Sequence, residues 1–405
     1  MTNQSDSTNI ALVLPGGGAR GAFQVGVLKA LAEILPKKSA NPFSVISGTS
    51  AGAINSVVLA ARAQHFRSAI AELEQVWAHF RCHQVYKTDH LTMLKSSVHW
   101  LLSIVLGGWL VGTPKSLLDN APLRELLSRN VHFPRIRVAI ENGNLAAVAI
   151  TAAGYESARS TSFFEGPDSL RDWVRTRRCG KRTHLNLDHL MASIAVPMIF
   201  PPQRIGNEFF GDGAMRQATP LSPAIHLGAD RILVIGIRDE TGEKIPTTLG
   251  PPPSIAQIAG YMLDTLFMDG LYSDLERMTR LNQLIDAAPA EHRRGALARV
   301  RPIDTMLVVP SEDLREIAFR HRRELPVALR ALLRGISGKS PSGNRLLSFL
   351  LFEKAYTRDL IALGYRDGMK VKDELQDFVS GAEVPRLFAP DWIKRDLSGF
   401  RPDAT

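Results

Sequence analysis

The sequence has few cysteines, and no apolar run in it is long enough to span a membrane. Cys82 and Cys179 are the only thiols in 405 residues, too few for a disulfide framework and not spaced as metal ligands. The longest apolar stretch, Trp100–Val111, has about a dozen residues, whereas a spanning helix needs about 20. The polar start, MTNQSDSTN, lacks the basic residues and apolar core of a signal peptide. We therefore expect a cytoplasmic protein.

Negative charge is scarce relative to positive charge. Lys and Arg number 49 against 40 Asp and Glu, so the formal net charge is +9. Such a surface favours nucleic acids, acidic lipid headgroups or anionic metabolites, and charge alone does not choose among them. Because no nucleic-acid-binding module is recognisable, we expect no nucleic-acid partner. The basic clusters Arg171–Arg182 and Arg293–Arg301 are either solvated surface or contacts to acidic headgroups.

Apolar runs and helix-like segments alternate in the first 63 residues. Ile10–Leu14 and Phe43–Ser47 are continuous apolar runs, typical of strands buried on both faces of a parallel sheet. Each is followed by a segment with helical spacing, Ala22–Leu35 and Ala51–Ala63. This order predicts an α/β fold with a mainly parallel sheet and right-handed crossovers.

Further strands are predicted downstream. Arg135–Thr151 has two apolar runs around Asn142-Gly143, which predicts a hairpin with a type I′ turn. Phe209–Gly211 and Arg231–Ile237 are further strand candidates. Beyond the prolines at 251–253 the pattern is mainly helical, except for Thr305–Val309, which predicts one more strand of the sheet.

This organisation predicts an α/β domain over residues 1–240, a proline-rich linker at 241–254 and a mainly helical region at 255–405 that packs on the first domain. Residues 81–115 are interpreted as an insertion. Its apolar part, Trp100–Val111, is either a core helix or a mobile cap at a lipid interface. In the C-terminal region, Leu346–Phe352 is interpreted as core packing.

A serine stands at the second strand-to-helix junction, in Gly48-Thr49-Ser50-Ala51-Gly52. A G-x-S-x-G turn places its serine on a sharp corner, and glycines on either side, Gly48 and Gly52 here, remove Cβ atoms that would collide with backbone. The helix that begins at Ala51 directs N–H groups and its positive dipole end to the same place. Ser50 is therefore a candidate nucleophile.

An acidic residue that could activate this serine follows an apolar run. In Phe209-Phe210-Gly211-Asp212-Gly213, the carboxylate lies between glycines, and we expect the two phenylalanines to desolvate it. Desolvation raises the pKa of a carboxyl group and makes the carboxylate a better base. Asp212 is therefore the candidate base.

A glycine triplet supplies candidate donors for an oxyanion. Gly16, Gly17 and Gly18 follow the first strand, and Arg20-Gly21 complete the turn. Residues without side chains can turn their N–H groups to one point, and one such donor is typically worth about 3–4 kcal/mol of barrier. Arg20 adds a positive charge for an oxyanion or a lipid phosphate.

The same glycines also fit the dinucleotide fingerprint G-x-G-x-x-G. That motif expects an acidic residue about 20 positions later, at the tip of the second strand. Here the second strand ends in Ser47-Gly48-Thr49-Ser50, without an acid. The nucleotide alternative is therefore disfavoured.

A Ser-His-Asp hydrolase is the other enzymatic alternative. Its chain order is serine, acid, histidine. Only His226, His292 and His321 follow Asp212, and none lies in a glycine-bearing turn. That fold also builds several strands before its nucleophile, whereas Ser50 follows the second strand. A dyad without histidine fits better.

Together these motifs resemble the patatin-like phospholipase family over roughly residues 10–237. Gly16–Gly21 is similar to the family's G-G-G-x-R/K-G motif, Gly48–Gly52 to its G-x-S-x-G, and Asp212–Ala214 to its D-G-A/G. Ala192–Pro197 resembles its A-S-x-A-x-P element, and Leu221–Ile235 the stretch after the aspartate. The C-terminal sequence RLLSFLLFEKAYTRDLIALGYRDG also resembles bacterial members.

The resemblance implies a three-layer α/β/α fold, a Ser50–Asp212 dyad and hydrolysis of lipid acyl esters, without a metal or cofactor. It implies an oxyanion hole at Gly16, Gly17, Gly18 and Arg20, with Gly21, Gly48, Gly52 and Gly213 in support. The expected partner is a lipid or fatty-acyl ester, with peripheral contact to anionic membrane. A function of another class stays open, namely a non-catalytic, regulatory lipid-binding protein that retains the fold.

Overall fold

In a computed structural model, the structure describes residues 8–87, 116–238, 255–289, 291, 300–331 and 344–398. Three predictions lie wholly or mostly outside these residues: the apolar segment Trp100–Val111, the linker at 241–254 and the basic cluster Arg293–Arg301. Within the described ranges, no helix combines the length and the apolar character that crossing a bilayer requires.

The described strands form one sheet in the order β11-β10-β9-β1-β2-β3-β4-β6-β5, with β8 also paired to β3 and β7 to β8. The strands are β1 (Ile10–Leu14), β2 (Val45–Thr49), β3 (Ala147–Gly154), β4 (Ser160–Glu165), β5 (Trp173–Arg175), β6 (Arg178–Arg182), β7 (Gln203–Ile205), β8 (Glu208–Asp212), β9 (Arg231–Ile235), β10 (Asp304–Val308) and β11 (Leu387–Phe388). The run from β11 to β3 is parallel throughout.

Helices cover the sheet. They are α1 (Gly21–Ile34), α2 (Ala51–Ala61), α3 (Phe66–Ala78), α4 (Cys82–Val85), α5 (Ala121–Asn130), α6 (Pro134–Glu141), α7 (Leu187–Ser193), α8 (Ser222–His226), α9 (Ile255–Ala287), α10 (Leu314–Arg320), α11 (Asn344–Leu350), α12 (Lys354–Lys370), α13 (Lys372–Ser380) and α14 (Asp391–Ser398). Short 3₁₀ turns lie at Gly18–Arg20, Ala63–His65 and Gly213–Met215.

Strand β1 shows why the sheet is covered on both faces. All five of its side chains are buried, and successive side chains of a strand point to opposite faces. Leu12 and Leu14 enter the larger apolar core, with α1, α2 and α3. Ala11 and Val13 enter a second core, with α8 and α9. The predicted fold class, α/β with a mainly parallel central sheet between helical layers, is confirmed.

The predicted hairpin over Arg135–Thr151 is wrong in its first half. Residues Pro134–Glu141 form helix α6, which buries Ile136 and Ala139 at helical spacing. Proline at the start of this segment is favourable for a first helical turn. Gly143 has a φ of 72° and ends the helix, since its N–H donates to Ile140 O at 3.0 Å. The second half is strand β3, as predicted, and it pairs antiparallel with β4.

The C-terminal part of the chain is built into the same sheet and core. Strand β10 pairs in parallel with β9, as the run Thr305–Val309 predicted. Helix α12 packs closely on α1, where a Cβ on Gly26 would lie 2.1 Å from Ile361 O. Leu346–Phe352 is buried except for a small fraction of each side chain, which confirms the core-packing interpretation. The domain boundaries at 240 and 255 stay a prediction.

Candidate active site

Ser50 occupies a strained corner between β2 and α2, which we call the nucleophile corner (residues 48–52). Its φ of 55° and ψ of −127° are unusual for a residue with a side chain. Two glycines make the turn possible: a Cβ on Gly52 would lie 2.0 Å from Leu14 O, and one on Gly48 would lie 2.4 Å from Gly52 O. The serine is 3% exposed. Such strain persists only where the surroundings fix it.

Ser193, at the end of α7, holds this corner. The Ser50 N–H donates to Ser193 Oγ at 2.9 Å, and the Ser193 hydroxyl donates to Thr151 O at 2.7 Å. The Ser50 N–H therefore has a partner and is not an oxyanion donor. Ser193 lies in the Ala192–Pro197 element that resembles the family, but the sequence analysis gave it no role. The signal that could have found it is a serine within an otherwise apolar segment.

Asp212 is the last residue of β8, and the pairing of β8, β3 and β2 brings it near the nucleophile corner. It stands opposite Ala152 of β3, whose neighbour Thr151 stands opposite Thr49 of β2. The Asp212 N–H donates to Ala195 O at 2.8 Å. Residues 193–195 thus hold the main chain at both candidate catalytic residues. Gly213 allows close approach, since a Cβ there would lie 2.2 Å from Thr151 O.

The carboxyl group of Asp212 is 1% exposed, and burial raises its pKa to about 7, an effect that the nearby Ser50 hydroxyl and the Ala214 N–H partly oppose. Ala214 N–H donates to Oδ1 at 2.9 Å. The Ser50 hydroxyl lies close enough to Asp212 to lower its pKa, and Oδ2 is buried with no hydrogen-bond partner among the described residues.

The predicted desolvation of Asp212 is confirmed, but only one of the two phenylalanines contributes to it. Phe210 is buried, whereas Phe209 is 45% exposed. Because successive side chains of a strand face opposite ways, β8 cannot turn both rings inwards. The remaining cover comes from neighbouring strands, which the local sequence does not show.

Gly16–Gly21, which we call the oxyanion corner, lies between β1 and α1. Gly17 has an extended φ of 173°, and Gly18 has a left-handed φ of 54°. Gly18 lines the same cavity as Ser50. A Cβ on Gly21 would lie 3.1 Å from Ala51 Cβ, so the two corners are in contact. Gly18 and Ser50 thus line one cavity, and the oxyanion hole that the resemblance implied at Gly16, Gly17, Gly18 and Arg20 stays a prediction.

Arg20 has contacts with the C-terminal part of the chain. Its Nε and Nη2 donate to Ser348 Oγ at 3.0 and 2.7 Å. Its guanidinium lies 3.9 Å from the centre of the Phe349 ring. These contacts favour a role in packing the oxyanion corner against α11. Direct support of an oxyanion by Arg20 stays a prediction. The contacts of its side chain with Ser348 and Phe349 do not favour that role.

A buried polar network connects the oxyanion corner to the wall of the cavity. Gln24 Nε2 donates to Pro15 O at 2.9 Å, just before the glycine triplet. Asn55 Nδ2 donates to Gln24 Oε1 at 3.0 Å, and Trp77 Nε1 donates to Asn55 Oδ1 at 2.8 Å. Since buried polar groups without partners are costly, this network fixes Trp77 relative to both corners. The sequence gave no indication of it.

Ser50 lines an apolar cavity. Gly18, Ile54, Trp77 and Phe80 are among the other residues that line it. Its volume is about 40 Å³, room for a few water molecules. Among the described residues, no group of three His, Cys, Asp or Glu side chains could hold a metal ion.

The histidines that a Ser-His-Asp triad would need have partners elsewhere. His226 stacks on Trp173 with ring centres 4.9 Å apart. His321 lies between Glu324 and Asp359, at 2.8 Å from each. His292 is outside the described residues. These positions favour the dyad over the triad.

Comparisons with known proteins identify relatives of this chain. The family model "Patatin-like phospholipase" matches residues 12–225. A cGAMP-activated phospholipase from Pseudomonas aeruginosa is 28% identical over 212 residues, which are 50% of this chain and 52% of that protein. The chain thus spans about half the length of this curated relative.

Two solved structures are also similar. VipD from Legionella pneumophila has a TM-score of 0.36 at 13% identity, over 91% of this chain and 67% of that one. ExoU, in its complex with SpcU from Pseudomonas aeruginosa, has a TM-score of 0.26 at 16% identity, over 84% of this chain and 68% of that one.

Proposed function

The chain belongs to the patatin-like phospholipase family, and from that premise we propose that it is a serine lipid acyl hydrolase with Ser50 as nucleophile and Asp212 as base. Membership of a phospholipase family implies lipid hydrolase activity. One observation supports the assignment of nucleophile and base. Ser50, which is strained, and Asp212, whose carboxyl group has a raised pKa, are buried together beside an apolar cavity. The substrate class we propose is a phospholipid or lysophospholipid acyl ester.

Acylation begins with the proton of the Ser50 hydroxyl. Ionised Asp212 accepts that proton as Ser50 Oγ attacks the ester carbonyl carbon, and the carbonyl electron pair moves onto its oxygen. N–H groups of the oxyanion corner at Gly17 and Gly18, and the positive end of α2, stabilise this oxyanion. When the tetrahedral intermediate collapses, the alcohol leaves with the proton from Asp212, and the acyl group stays on Ser50.

Deacylation repeats these steps with water. Asp212 takes a proton from a water molecule, whose oxygen attacks the acyl carbon, and the oxyanion forms at the same donors. Collapse breaks the bond to Ser50 Oγ, which recovers the proton from Asp212, and a fatty acid is released. One carboxyl group thus serves both half-reactions.

The raised pKa of Asp212 suits this double role. A base works best when its pKa lies near the working pH, because it is then ionised and still binds a proton well. Since the pKa is about 7 and the ionised form is the active base, activity should rise as the pH increases through about 7.

The test compares the wild-type chain with Ser50→Ala and Asp212→Asn. We expect the wild type to hydrolyse p-nitrophenyl butyrate and to be labelled at Ser50 by a fluorophosphonate probe. Both variants should fold, as judged by circular dichroism, and lose at least about a thousandfold of kcat, as a serine-protease triad does when a member is removed. Substantial turnover by either purified variant would contradict the dyad.

The same experiment decides the alternative, a non-catalytic lipid-binding protein with this fold. That protein would bind lipid vesicles but neither turn over the ester nor react with the probe. The presence of both Ser50 and Asp212 in one buried site favours the enzyme.

A further inference from the structure

Two buried threonines stand opposite each other in the sheet, next to the candidate catalytic residues. Thr49 is the last residue of β2 and immediately precedes Ser50. Its register partner in β3 is Thr151, and both threonines are buried. A Cβ on Gly213 would lie 2.9 Å from Thr49 Cγ2 and 2.2 Å from Thr151 O. The threonines therefore lie against the turn that follows the candidate base as well as beside the nucleophile.

The side-chain amide of Gln217 joins these two threonines. The Thr49 hydroxyl donates to Gln217 Oε1, and Gln217 Nε2 donates to Thr151 Oγ1 at 3.2 Å. Because a glutamine side chain carries an acceptor oxygen and two N–H donors, one residue can make both bonds. Thr151 Oγ1 also lies 3.0 Å from Ser162 Oγ of β4. A continuous chain of hydrogen bonds thus connects β2, β3 and β4 through Gln217.

The main chain of Gln217 belongs to the turn that follows Asp212. The Gln217 N–H donates to Gly213 O at 3.1 Å, and the Ala214 N–H in the same turn donates to Asp212 Oδ1 at 2.9 Å. Helix α9 packs closely on it, since a Cβ on Gly270 would lie 2.7 Å from Gln217 O. The backbone of Gln217 is therefore held on the side of the candidate base, while its side chain reaches the strand that leads to the nucleophile.

We propose that Gln217 is a positioning residue, which fixes the distance between the Ser50 hydroxyl and the Asp212 carboxyl group. The inference rests on the proposed function, since it assumes that a proton passes between these two groups. Reaction rates depend steeply on such geometry, and a misplacement of about 1 Å can lower a rate about a hundredfold. Gln217 is not among the residues that line the cavity at Ser50. Its loss should therefore slow the chemical step and leave binding of the ester unchanged.

The test uses Gln217→Met, Thr49→Val and the variant that combines them. Methionine keeps the length of glutamine, and valine keeps the shape of threonine, so each change removes hydrogen bonds with little loss of volume. In each single variant, kcat for p-nitrophenyl butyrate and the rate of Ser50 labelling by a fluorophosphonate should fall together about tenfold to a hundredfold, with KM changed less than about twofold. Because the two side chains act through one shared bond, the combined variant should fall no further than the weaker single variant.

Gln203→Met and Thr161→Val are matched controls. Gln203 is half-buried like Gln217, and its amide donates to Asp188 Oδ1 at 3.4 Å. Thr161 is a buried threonine of β4 whose hydroxyl lies 3.5 Å from Cys179 Sγ. Both controls should keep the kcat and the labelling rate of the wild type.

Three results would overturn the proposal: wild-type kcat in Gln217→Met, a loss in the combined variant equal to the product of the single losses, or an equal loss in the controls. If Gln217→Met does not fold, Thr49→Val still decides, because an unchanged kcat and labelling rate in that variant would contradict a role for the shared bond.

The proposed function can fail separately from this inference. If the wild type neither hydrolyses any ester nor reacts with a fluorophosphonate at Ser50, the hydrolase assignment is wrong. If the wild type is active and labelled but Gln217→Met and Thr49→Val are as active as the wild type, the hydrolase assignment stands, and Gln217 does not position the two groups.

Discussion

The nucleophile corner and the oxyanion corner are both turns between a strand and a helix, yet different parts of the chain hold them in place. The nucleophile corner packs on Leu14 of β1 and is held by Ser193, all within the region that the family model matches. The oxyanion corner packs on Phe349 and Ser348, which lie outside it. The position of the nucleophile thus depends on contacts within the matched region, and that of Gly18 depends also on Ser348 and Phe349.

Gly18→Ala tests this dependence most severely. A Cβ at Gly18 would lie 2.3 Å from the backbone oxygen of Phe349, so either the corner or the Phe349 backbone must move. We expect kcat/KM to fall about a hundredfold or more, as when one oxyanion donor is lost. Esterase kinetics at saturating and limiting substrate measure this loss.

Gly143→Ala is the matched control for Gly18→Ala. Gly143 also has a left-handed φ, 72°, but a Cβ there would have nothing within 4 Å. This variant should lose about 1 kcal/mol of stability from backbone strain and keep its activity. Similar activity in both variants would show that contact with Phe349 does not position the oxyanion corner.

Asp212→Asn tests, through stability, the cost of burying the charge of the candidate base. Burial raises the pKa of Asp212 from 3.8 to about 7. Between these values the folded state holds a proton that the unfolded state releases, so this group lowers stability as the pH rises through that window. Above pH 7 the variant, which has no charge to bury, should be more stable than the wild type by on the order of a few kcal/mol.

Urea unfolding below pH 4 and above pH 7 measures this difference. The gain of Asp212→Asn should be nearly absent at the lower pH. Ser50→Ala keeps the carboxyl group, so its stability should follow the pH dependence of the wild type. An equal gain at both pH values would mean that the pKa of Asp212 is not raised in the folded protein.

How well the sequence predicted each corner depends on how far apart along the chain the contacting residues are. The positions of Ser50, Gly52 and Asp212 at strand ends were predictable because they are encoded within a few residues of each strand end, and their roles stay predictions. The role of Ser348 and Phe349 was not predictable, because Arg20 and Ser348 are 328 positions apart. The run Leu346–Phe352 predicted burial correctly, but no local pattern indicates which surface a buried segment covers.

Helix α6 shows a different cause of failure. Asn142-Gly143 was interpreted as a hairpin turn, yet the glycine ends a helix. Both features need a left-handed residue, so the dipeptide alone could not distinguish them. The spacing of Ile136 and Ala139, which are both buried, was the better indication, together with Pro134 at the helix start.

Ser193→Ala tests the nucleophile corner with a smaller change. Without this hydroxyl, the buried Ser50 N–H loses its acceptor, which costs about 1–3 kcal/mol. We expect a loss of stability and a fall in kcat of about tenfold with little change in KM, because Ser193 positions Ser50 and does not line the cavity. A change in KM alone would contradict a positioning role.

Ser348→Ala should have the smallest effect, and it separates two explanations of the oxyanion corner. The variant removes the acceptor of both Arg20 hydrogen bonds but keeps the Phe349 backbone against Gly18 and its ring against the guanidinium. If backbone packing positions the corner, thermal unfolding should show a loss of about 1 kcal/mol, with kcat/KM nearly unchanged. If turnover instead falls as far as in Gly18→Ala, the hydrogen bonds from Arg20 to Ser348 position the corner.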